Sequence, residues 1–477
     1  MTASQQPWWS GGVLYQAYPR SFADANGDGI GDLAGLRARL EYLHWLGIDG
    51  IWLNPTFPSP NRDWGYDVSD YFDVHPDLGT LEDLDALIAA ARELGIRILL
   101  DLVPAHTSDQ HHWFVESRSS RESSRRPWYI WTDEADEQES VFGGRTWTRD
   151  ERTGQYYHHL FLAEQPDLNW MLADVRDAFD EILRFWFDRG VAGLRIDVVH
   201  ELVKDPPSRP NRPEIHNVLR RWRSLARAYE PERLLVGETW VMDIDELASF
   251  YGSNDELQLA FNFPFMFAGL DATALADVVE RTDAALPGDA LPVWALSNHD
   301  VVRFPTRMCD EDDAKVRSAL LALMTLRGTS FLYYGDELGM RQVEISPDRV
   351  HDVDGRDGAR TPMPWGDVEW RDPWLPGGST VGSVAEQRGD PRSVLSFCRD
   401  AIALRRGCED LVSGGYTPVP SPTGVWAWRR GGRTAVALNL TDSEANVSLE
   451  GEVLLSTKGR DDSARLEPWE GVVVALT

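Results

Sequence analysis

Along most of the chain, short apolar segments alternate with longer segments in which apolar residues recur about every three or four positions. The short segments are typical of buried strands, and the longer ones are typical of helices with one apolar face. The predicted strands lie at residues 13–18, 48–53, 96–103, 193–199, 234–239, 257–263, 292–297 and 330–334. The predicted helices lie at residues 33–46, 81–94, 175–189, 213–229, 273–285, 314–326 and 392–406. Eight strands that alternate with helices indicate a (β/α)8 barrel.

Two regions interrupt this alternation. Residues 104–170 contain no long amphipathic helix, and a segment of that length predicts a small inserted domain. Residues 335–390 are rich in Gly, Pro and Asp and predict loop, and after residue 408 short alternating segments predict an antiparallel β domain. The predicted fold class is therefore α/β, a (β/α)8 TIM barrel with an inserted small domain after strand 3 and a C-terminal antiparallel β-sandwich domain. The predicted boundaries are 1–103 and 171–407 for the barrel, 104–170 for the insertion and 408–477 for the C-terminal domain.

Composition narrows the classes of partner. The 477 residues carry a net charge of −30, which argues against binding to nucleic acid or to an anionic membrane surface. The three cysteines, Cys309, Cys398 and Cys408, are too few for a disulfide framework and favour a cytoplasmic location. We predict no signal peptide, and no apolar run approaches the ~18 residues of a membrane span. The oligomeric state stays open.

One acidic loop predicts a bound cation. Side-chain oxygens recur at Asp24, Asn26, Asp28 and Asp32, and Ile30 offers a backbone carbonyl. This spacing resembles the first part of a calcium loop, although the late glutamate of an EF-hand is absent. We expect a structural Ca²⁺ ion there, with Mg²⁺ left open as the alternative ion. The competing interpretation is a solvated acidic turn.

Arg195 and Asp197 lie two positions apart in an otherwise apolar strand. Residues i and i+2 of a strand point to the same face, so the two side chains are expected to project together. A carboxylate beside a fixed arginine stays ionised, as a nucleophile requires. A structural ion pair fits the same pattern equally well.

Further polar residues stand at the carboxyl ends of other predicted strands. Asp101 ends the third strand, Glu238 the fifth and Asp300 the seventh. In such barrels these ends meet at one mouth, where catalytic residues lie. Three carboxylates at three strand ends favour a functional cluster over a structural role. Zinc, nucleotide and dinucleotide motifs are absent from the sequence, so no organic cofactor is expected.

Four segments in this order resemble the signature regions of glycoside hydrolase family 13, the α-amylase family. They are 101–106 (DLVPAH), 193–197 (GLRID), 237–239 (GET) and 298–300 (NHD). Segment 165–170 (QPDLNW) resembles an additional region near the end of the inserted domain. Segments 15–22 (YQAYPRSF) and 355–365 (GRDGARTPMPW) resemble the α-glucosidase / oligo-1,6-glucosidase branch. The resemblance covers nearly the whole chain.

The resemblance implies catalytic roles. Asp197 would be the nucleophile, Glu238 the general acid and then the general base, and Asp300 would hold the sugar hydroxyls and stabilise the transition state. Retaining cleavage requires two carboxyl groups about 5–5.5 Å apart. We expect Arg195 to keep Asp197 ionised, and the neighbouring carboxylates to raise the pKa of Glu238.

The resemblance also implies substrate-binding residues. His106 and His299 would donate hydrogen bonds to the terminal sugar, and Tyr66 would stack on it. Asp63 would grip its 4-hydroxyl together with Arg360, or alternatively Arg356, which would make the enzyme exo-acting. The alternative for this pair is a surface ion pair.

Three further positions affect the expected specificity or differ from the family pattern. His200 would line the leaving-group subsite, at a position where relatives often carry asparagine or lysine. Ala105 stands where the family usually has asparagine. Val198 resembles enzymes that accept α-1,6 linkages.

The expected function is a retaining exo-α-glucosidase acting on short α-glucosides, with α-1,6 or α-1,4 linkages or both. One alternative is a transglucosidase or sucrose isomerase on the same site. A second alternative is a non-catalytic scaffold on the same barrel.

Overall fold

The computed structural model describes residues 7–204, 213–367, 370–378 and 381–477. Its strands in chain order are β1 (Val13–Ala17), β2 (Gly50–Leu53), β3 (Arg97–Leu102), β4 (Trp131–Thr132), β5 (Trp147–Arg149), β6 (Tyr156–His158), β7 (Gly193–Ile196), β8 (Leu234–Gly237), β9 (Leu259–Ala260), β10 (Val293–Ala295), β11 (Thr329–Tyr333), β12 (Tyr416–Pro418), β13 (Val425–Arg430), β14 (Thr434–Asn439), β15 (Ala445–Asn446), β16 (Gly451–Ser456), β17 (Arg465–Leu466) and β18 (Gly471–Leu476).

The helices in chain order are α1 (Pro19–Phe22), α2 (Leu33–Ala38), α3 (Leu40–Leu46), α4 (Leu81–Glu93), α5 (His112–Ser117), α6 (Ala173–Asp188), α7 (Pro213–Arg227), α8 (Ile244–Ser249), α9 (Phe263–Phe267), α10 (Ala272–Ala285), α11 (Phe304–Met308), α12 (Asp313–Thr325), α13 (Val384–Gly389), α14 (Val394–Gly407) and α15 (Glu409–Ser413). Short 3-10 turns lie at Arg126–Trp128, Val199–Glu201, Asp336–Leu338 and Arg356–Ala359.

Eight parallel strands form the central sheet, in the order β10-β11-β1-β2-β3-β7-β8-β9. A parallel bridge between Phe261 and Val293 joins the two ends, so the sheet closes into a barrel. Its interior holds a separate cluster of apolar side chains that includes Leu14, Trp52 and Leu99. Strands buried on both faces account for the apolar segments from which the barrel was predicted, and the predicted (β/α)8 fold is confirmed.

Several predicted elements are shorter in the structure; the predicted strand 257–263, for example, is reduced to β9, and its last residue begins α9. The predicted helix 33–46 is two helices, because Arg39 leaves helical geometry between α2 and α3 (φ −102°, ψ 4°). The predicted strand 193–199 ends at Ile196, and Val198 adopts a left-handed conformation with φ +42°. Asp197 therefore follows the strand, although its amide still donates to the Leu102 carbonyl at 2.9 Å. The prediction of a strand extending to Val199 was wrong.

The insertion between β3 and α6 forms a three-stranded antiparallel sheet in the order β4-β6-β5. Two bridges, His106 to Asp167 and Tyr129 to Leu168, tie the two ends of this segment together. Antiparallel pairing gives these short strands their own hydrogen bonds, so the segment is held over the barrel mouth without a long helix.

The C-terminal region contains a five-stranded antiparallel sheet, β12-β13-β14-β18-β16, and a two-stranded ribbon of β15 and β17. Its buried Arg430 donates to the carbonyl of Leu411 at 2.9 Å and to that of Thr325 at 2.5 Å, which links the sheet to α12 of the barrel. The region 335–390, predicted as loop throughout, also contains α13 and two 3-10 turns. Among the described residues, no helix is long and apolar enough to cross a membrane.

Candidate functional site

A cavity of about 380 Å³ opens at the carboxyl ends of the barrel strands. Asp197 reaches it just after β7, Glu238 just after β8, and Asp300 from the loop after β10. Asp101, at the end of β3, lies buried beneath them. Parallel strands present their carboxyl ends on one side of the barrel, and this topology brings the carboxylates predicted from sequence together.

Arg195 joins three of these carboxylates. Its Nη1 donates to Asp101 Oδ1 and to Asp197 Oδ1, both at 2.7 Å, and its Nη2 donates to Glu238 Oε2 at 2.5 Å. The side chain is only 1% exposed and stacks over Trp52 at 4.9 Å. A buried guanidinium needs such partners, because an unpaired charge costs several kcal/mol away from water.

The surroundings of Asp197 raise the pKa of its carboxyl group. Burial raises its pKa well above the ordinary value, and Glu238 and Asp101 raise it further against the opposing effect of Arg195. The guanidinium divides its charge among three acids, and the expectation that Arg195 keeps Asp197 ionised stays a prediction. Burial likewise raises the pKa of Asp101, to about 7.

Glu238 lies close to Asp197. Its Oε2 accepts a hydrogen bond from the Val198 amide at 3.0 Å as well as from Arg195, and the two carboxyl groups are within hydrogen-bonding range of each other. Val198 itself adopts a left-handed conformation, so the chain turns immediately after this contact.

Asp300 has the opposite environment. His299 Nε2 lies 3.2 Å from one of its oxygens, and Arg356 Nη1 and Arg360 Nη2 lie 3.0 and 3.2 Å from the other. Burial raises the pKa of Asp300, but these neighbours outweigh it and hold the pKa well below its ordinary value. Asp300 is therefore ionised throughout the physiological range.

His299 and Tyr66 form a stacked pair, with ring centres 5.2 Å apart and planes 9° apart. The Tyr66 hydroxyl donates to Asp101 Oδ2 at 3.0 Å, and the Gln16 amide contacts His299 Nδ1 at 2.9 Å. Burial lowers the pKa of His299 well below its ordinary value. A neutral His299 that accepts at Nδ1 carries its proton on Nε2, which lies 2.5 Å from the Tyr66 hydroxyl and 3.2 Å from Asp300.

His106 is also buried, and burial lowers its pKa to about 4. Its Nε2 lies 3.0 Å from the Tyr66 carbonyl oxygen, so the ring donates there. Within the part of the chain that is described, Nδ1 has no hydrogen-bond partner. This Nδ1 atom is itself buried, and the expected hydrogen bond from His106 to the sugar stays a prediction.

Arg356, and not Arg360, pairs with Asp63. Arg356 Nη2 lies 2.6 Å from Asp63 Oδ1 and also 2.6 Å from Asp352 Oδ1. Arg360 is fully buried behind the cavity, where it donates to the His299 carbonyl at 2.9 Å. Arg356 thus takes the place beside Asp63 for which Arg360 was the first expectation. Asp63 and Arg356 together close one end of the cavity.

Several cavity residues were not singled out from sequence. The apolar ones are Val141, Phe142, Leu160 and Phe161 from the inserted segment and Trp240 after β8. These apolar residues are scattered along the chain and form no recognisable motif. The high aromatic content of residues 128–161 could nevertheless have indicated that this segment contributes to the site. Gln165 and Asp352 support Asp63 and Arg356 from behind, at 3.0 and 2.6 Å.

His200 lies on the 3-10 turn after Asp197 and lines the cavity close to the backbone of Glu238. Burial lowers its pKa, so the ring is neutral at physiological pH, and its Nδ1 lacks a partner among the described residues. The expected role of His200 at the leaving-group subsite stays a prediction.

The acidic loop lies away from the cavity. Asp24 accepts from the Gly27 and Gly29 amides at 2.6 and 2.9 Å, Asn26 accepts from the Asp28 amide, Asp28 from the Ile30 amide, and Asp32 from the Gly35 amide as the cap of α2. Each oxygen has a second lone pair, so the hard donor set fits Ca²⁺ or Mg²⁺. Across the described ranges, no three His, Cys, Asp or Glu side chains are grouped to hold a metal ion. The cation stays a prediction.

Comparison with known proteins adds three findings. The catalytic-domain profile of the α-amylase family matches residues 16–414. A probable α-glucosidase of Rhizobium meliloti (strain 1021) is 38% identical over 97% of this chain and 93% of its own. A glucan 1,6-α-glucosidase of Streptococcus dysgalactiae subsp. equisimilis is 34% identical over 99% of this chain and all of its own.

Among solved structures, the trehalulose synthase MutB from Pseudomonas mesoacidophila MX-45 superposes with a TM-score of 0.92 at 31% identity, covering 99% of this chain and 100% of that one. A mutant of MutB was solved in complex with its substrate sucrose.

Proposed function

Because the chain belongs to glycoside hydrolase family 13, the α-amylase family, we propose that it is a retaining exo-acting α-glucosidase. Its substrates are short α-glucosides with α-1,6 or α-1,4 linkages, from which it releases the non-reducing terminal glucose. The names of its relatives, a probable α-glucosidase and a glucan 1,6-α-glucosidase, support this class of substrate.

The observation that carries the proposal is the single guanidinium that holds both acids. Arg195 Nη1 contacts Asp197 at 2.7 Å and Nη2 contacts Glu238 at 2.5 Å, and the two carboxyl groups also lie within hydrogen-bonding range of each other. Inverting glycosidases need carboxyl groups about 6.5–9.5 Å apart to admit the attacking water, whereas retaining enzymes bring them closer. The close pair therefore favours retention.

The proposed reaction has two displacements. Asp197 attacks the anomeric carbon while Glu238 gives its proton to the glycosidic oxygen, so the alcohol leaves and a glucosyl ester forms. Glu238 then takes a proton from water, which attacks the same carbon and releases α-glucose and free Asp197. Ionised Asp300 stabilises the positive charge that develops on the sugar ring.

The closed end of the cavity supports exo action. Asp63 and Arg356 form an ion pair at 2.6 Å where a longer glucan would have to continue. Hydrogen-bonding groups at this end suit the 4-hydroxyl of a terminal glucose. A cytoplasmic location is proposed from the cysteines, which are free in the described residues.

A product time course tests this function. Isomaltose, maltose and sucrose are each incubated with the protein, and the products are followed by proton NMR and mass spectrometry. We expect free glucose, appearing first as the α-anomer. The β-anomer first would contradict retention. New linkages from sucrose would instead favour the isomerase or transglucosidase alternative, for which the similarity to MutB is the supporting observation. Failure to hydrolyse any α-glucoside, aryl glucosides included, would favour a non-catalytic scaffold.

A further inference from the structure

The Arg356 guanidinium faces two carboxylates of the cavity. Its Nη2 lies 2.6 Å from Asp63 Oδ1, and its Nη1 lies 3.0 Å from Asp300 Oδ1. An arginine side chain has many rotamers, and holding it in one of them costs conformational entropy. Both contacts therefore depend on a group that fixes the guanidinium from the side facing away from the cavity.

Asp352 provides that contact. Its Oδ1 accepts from Arg356 Nη2 at 2.6 Å, and its two oxygens lie 3.1 and 3.0 Å from Arg356 Nε. A planar guanidinium that meets both oxygens of one carboxylate is fixed in direction as well as in position. Asp352 is only 2% exposed, so its carboxylate is closed off from a bound substrate.

The surrounding loop is folded around the same carboxylate. Asp352 Oδ2 accepts from the amide of Arg356 at 2.8 Å and from that of Asp354 at 3.1 Å. Asp357 Oδ2 in turn accepts from the amides of His351 and Asp352 at 2.6 and 2.9 Å. Aspartates that accept from nearby amides close turns in this way. The backbone and the side chain of Arg356 therefore share one anchor.

A second arginine also contacts Asp352. Arg360 Nη1 lies 3.3 Å from Asp352 Oδ1, and Arg360 Nη2 lies 3.2 Å from Asp300 Oδ1. The two guanidiniums repel each other, and a carboxylate that contacts both offsets this repulsion. The position of Arg356 therefore depends on the negative charge of Asp352 as well as on its shape.

We propose that Asp352 is a positioning residue that sets how strongly the protein recognises the 4-hydroxyl of the terminal glucose. It acts through Arg356, whose Nη2 it holds beside Asp63 at the closed end of the cavity. Gln165 donates to Asp63 at 3.0 Å and holds the other member of that pair. This inference rests on the proposed α-glucosidase function and identifies a residue behind its selectivity for a chain end.

A substrate without the 4-hydroxyl tests the proposal. Asp352→Asn keeps the size of the side chain but removes its charge. We expect this variant to lower kcat/KM by about thirtyfold for p-nitrophenyl α-glucoside and by only about threefold for its 4-deoxy analogue. A variant that merely folds less well lowers both values by one factor.

The two ways of failing are distinct. Equal factors for the two substrates, with normal hydrolysis by the wild type, would overturn the inference and leave the α-glucosidase function intact. No hydrolysis of either substrate by the wild type would instead contradict the proposed function. Asp348→Asn is the matched control, because it removes one exposed carboxylate from the same segment, and it should leave both values of kcat/KM unchanged.

A double-mutant cycle tests whether Asp352 acts through Arg356. Arg356→Met alone should lower kcat/KM for p-nitrophenyl α-glucoside by about a hundredfold. Adding Asp352→Asn should lower it by less than about twofold further, because the side chain that Asp352 positions is gone. Independent effects would multiply to about three thousandfold, and that result would overturn the inference.

Discussion

Arg195 illustrates how one side chain can govern several acids. Sequence placed it beside Asp197, where a strand pattern predicts a simple pair. The structure adds Asp101 and Glu238 to the same guanidinium, so the charge that Asp197 receives is divided. Asp101 and Glu238 lie 94 and 43 positions away from Arg195 in the chain, so hydrophobic periodicity cannot pair them with it. The sharing explains why burial wins and the pKa of Asp197 rises.

Replacing the proposed nucleophile tests its role. Asp197→Asn removes the attacking oxygen while keeping the size of the side chain. We expect kcat for isomaltose to fall at least about a thousandfold, because no glucosyl ester can form. Circular dichroism and the thermal midpoint should stay near those of the wild type. Near-normal kcat in a folded variant would rule Asp197 out as the nucleophile.

Arg356 carries a separate prediction. Arg356→Met leaves Asp63 and Asp352 without their closest cation and removes one of the positive groups at Asp300. We expect kcat/KM to fall by about a hundredfold. The pKa of Asp300 should also rise, because a charge that lowers it is gone, and an NMR titration of the carboxyl carbons of 13C-labelled aspartate measures that rise.

The control for this variant lies in the same loop. Arg349→Met removes a guanidinium whose contact is the Pro373 carbonyl, at 3.3 Å, and should leave both kcat/KM and the pKa of Asp300 unchanged. A fall in kcat/KM in Arg356→Met without a rise in the pKa of Asp300 would show that Arg356 binds sugar without acting on Asp300.

At the scale of elements, strands and helices were predicted correctly where a single hydrophobic period dominates a segment of the sequence. The eight barrel strands and the long helices follow directly from apolar spacing. The end of β7 does not, because Val198 is β-branched and adopts φ +42°, a conformation that local preference disfavours. Its amide hydrogen bond to Glu238, formed across the site, offsets that cost. The packing of Trp240 on Phe263 and of Phe142 on Phe161 likewise depends on tertiary contacts between elements.

The 3-10 turn after β11 contains a buried acid that should make stability depend on pH. Burial raises the pKa of Asp336 to about 7, opposed by Arg303. Between about pH 4 and 7 the folded protein retains this proton while the unfolded chain releases it. This group therefore lowers the free energy of unfolding of the wild type as pH rises through that window.

Asp336→Asn removes the titrating group, so its free energy of unfolding should not fall with pH for this reason. The free energy of unfolding of the variant minus that of the wild type should therefore rise with pH. We expect the variant to gain stability relative to the wild type from pH 4 to 7, by at most about 1.4 kcal/mol per pH unit, and to level off above pH 7. Urea unfolding at several pH values measures this. Asp348→Asn, which removes an exposed carboxylate nearby, controls for net charge. A difference that does not vary with pH would contradict the raised pKa.

At the scale of the whole molecule, the barrel provides the acids and two peripheral regions complete the site. The inserted segment supplies Phe142 and Phe161 to the lining of the cavity, and the loop after β11 supplies Arg356. A second peripheral contact involves the acidic loop. The Trp374 amide donates to the Gly29 carbonyl at 3.0 Å, and the Trp374 ring stacks on Tyr18 with centres 6.2 Å apart. The predicted cation would thus stabilise a rim segment as well as its own loop.

Removal of divalent cations tests this link. If Ca²⁺ binds only the folded loop, it adds a binding free energy to folding, and a chelator should lower the thermal midpoint by a few degrees. Added Ca²⁺ should restore it, and Mg²⁺ in its place identifies the preferred ion. Asp28→Ala should lose this dependence, whereas Asp73→Ala, another exposed acid, should keep it. Equal midpoints in chelator and in Ca²⁺ would mean that the backbone amides alone hold the acidic turn together.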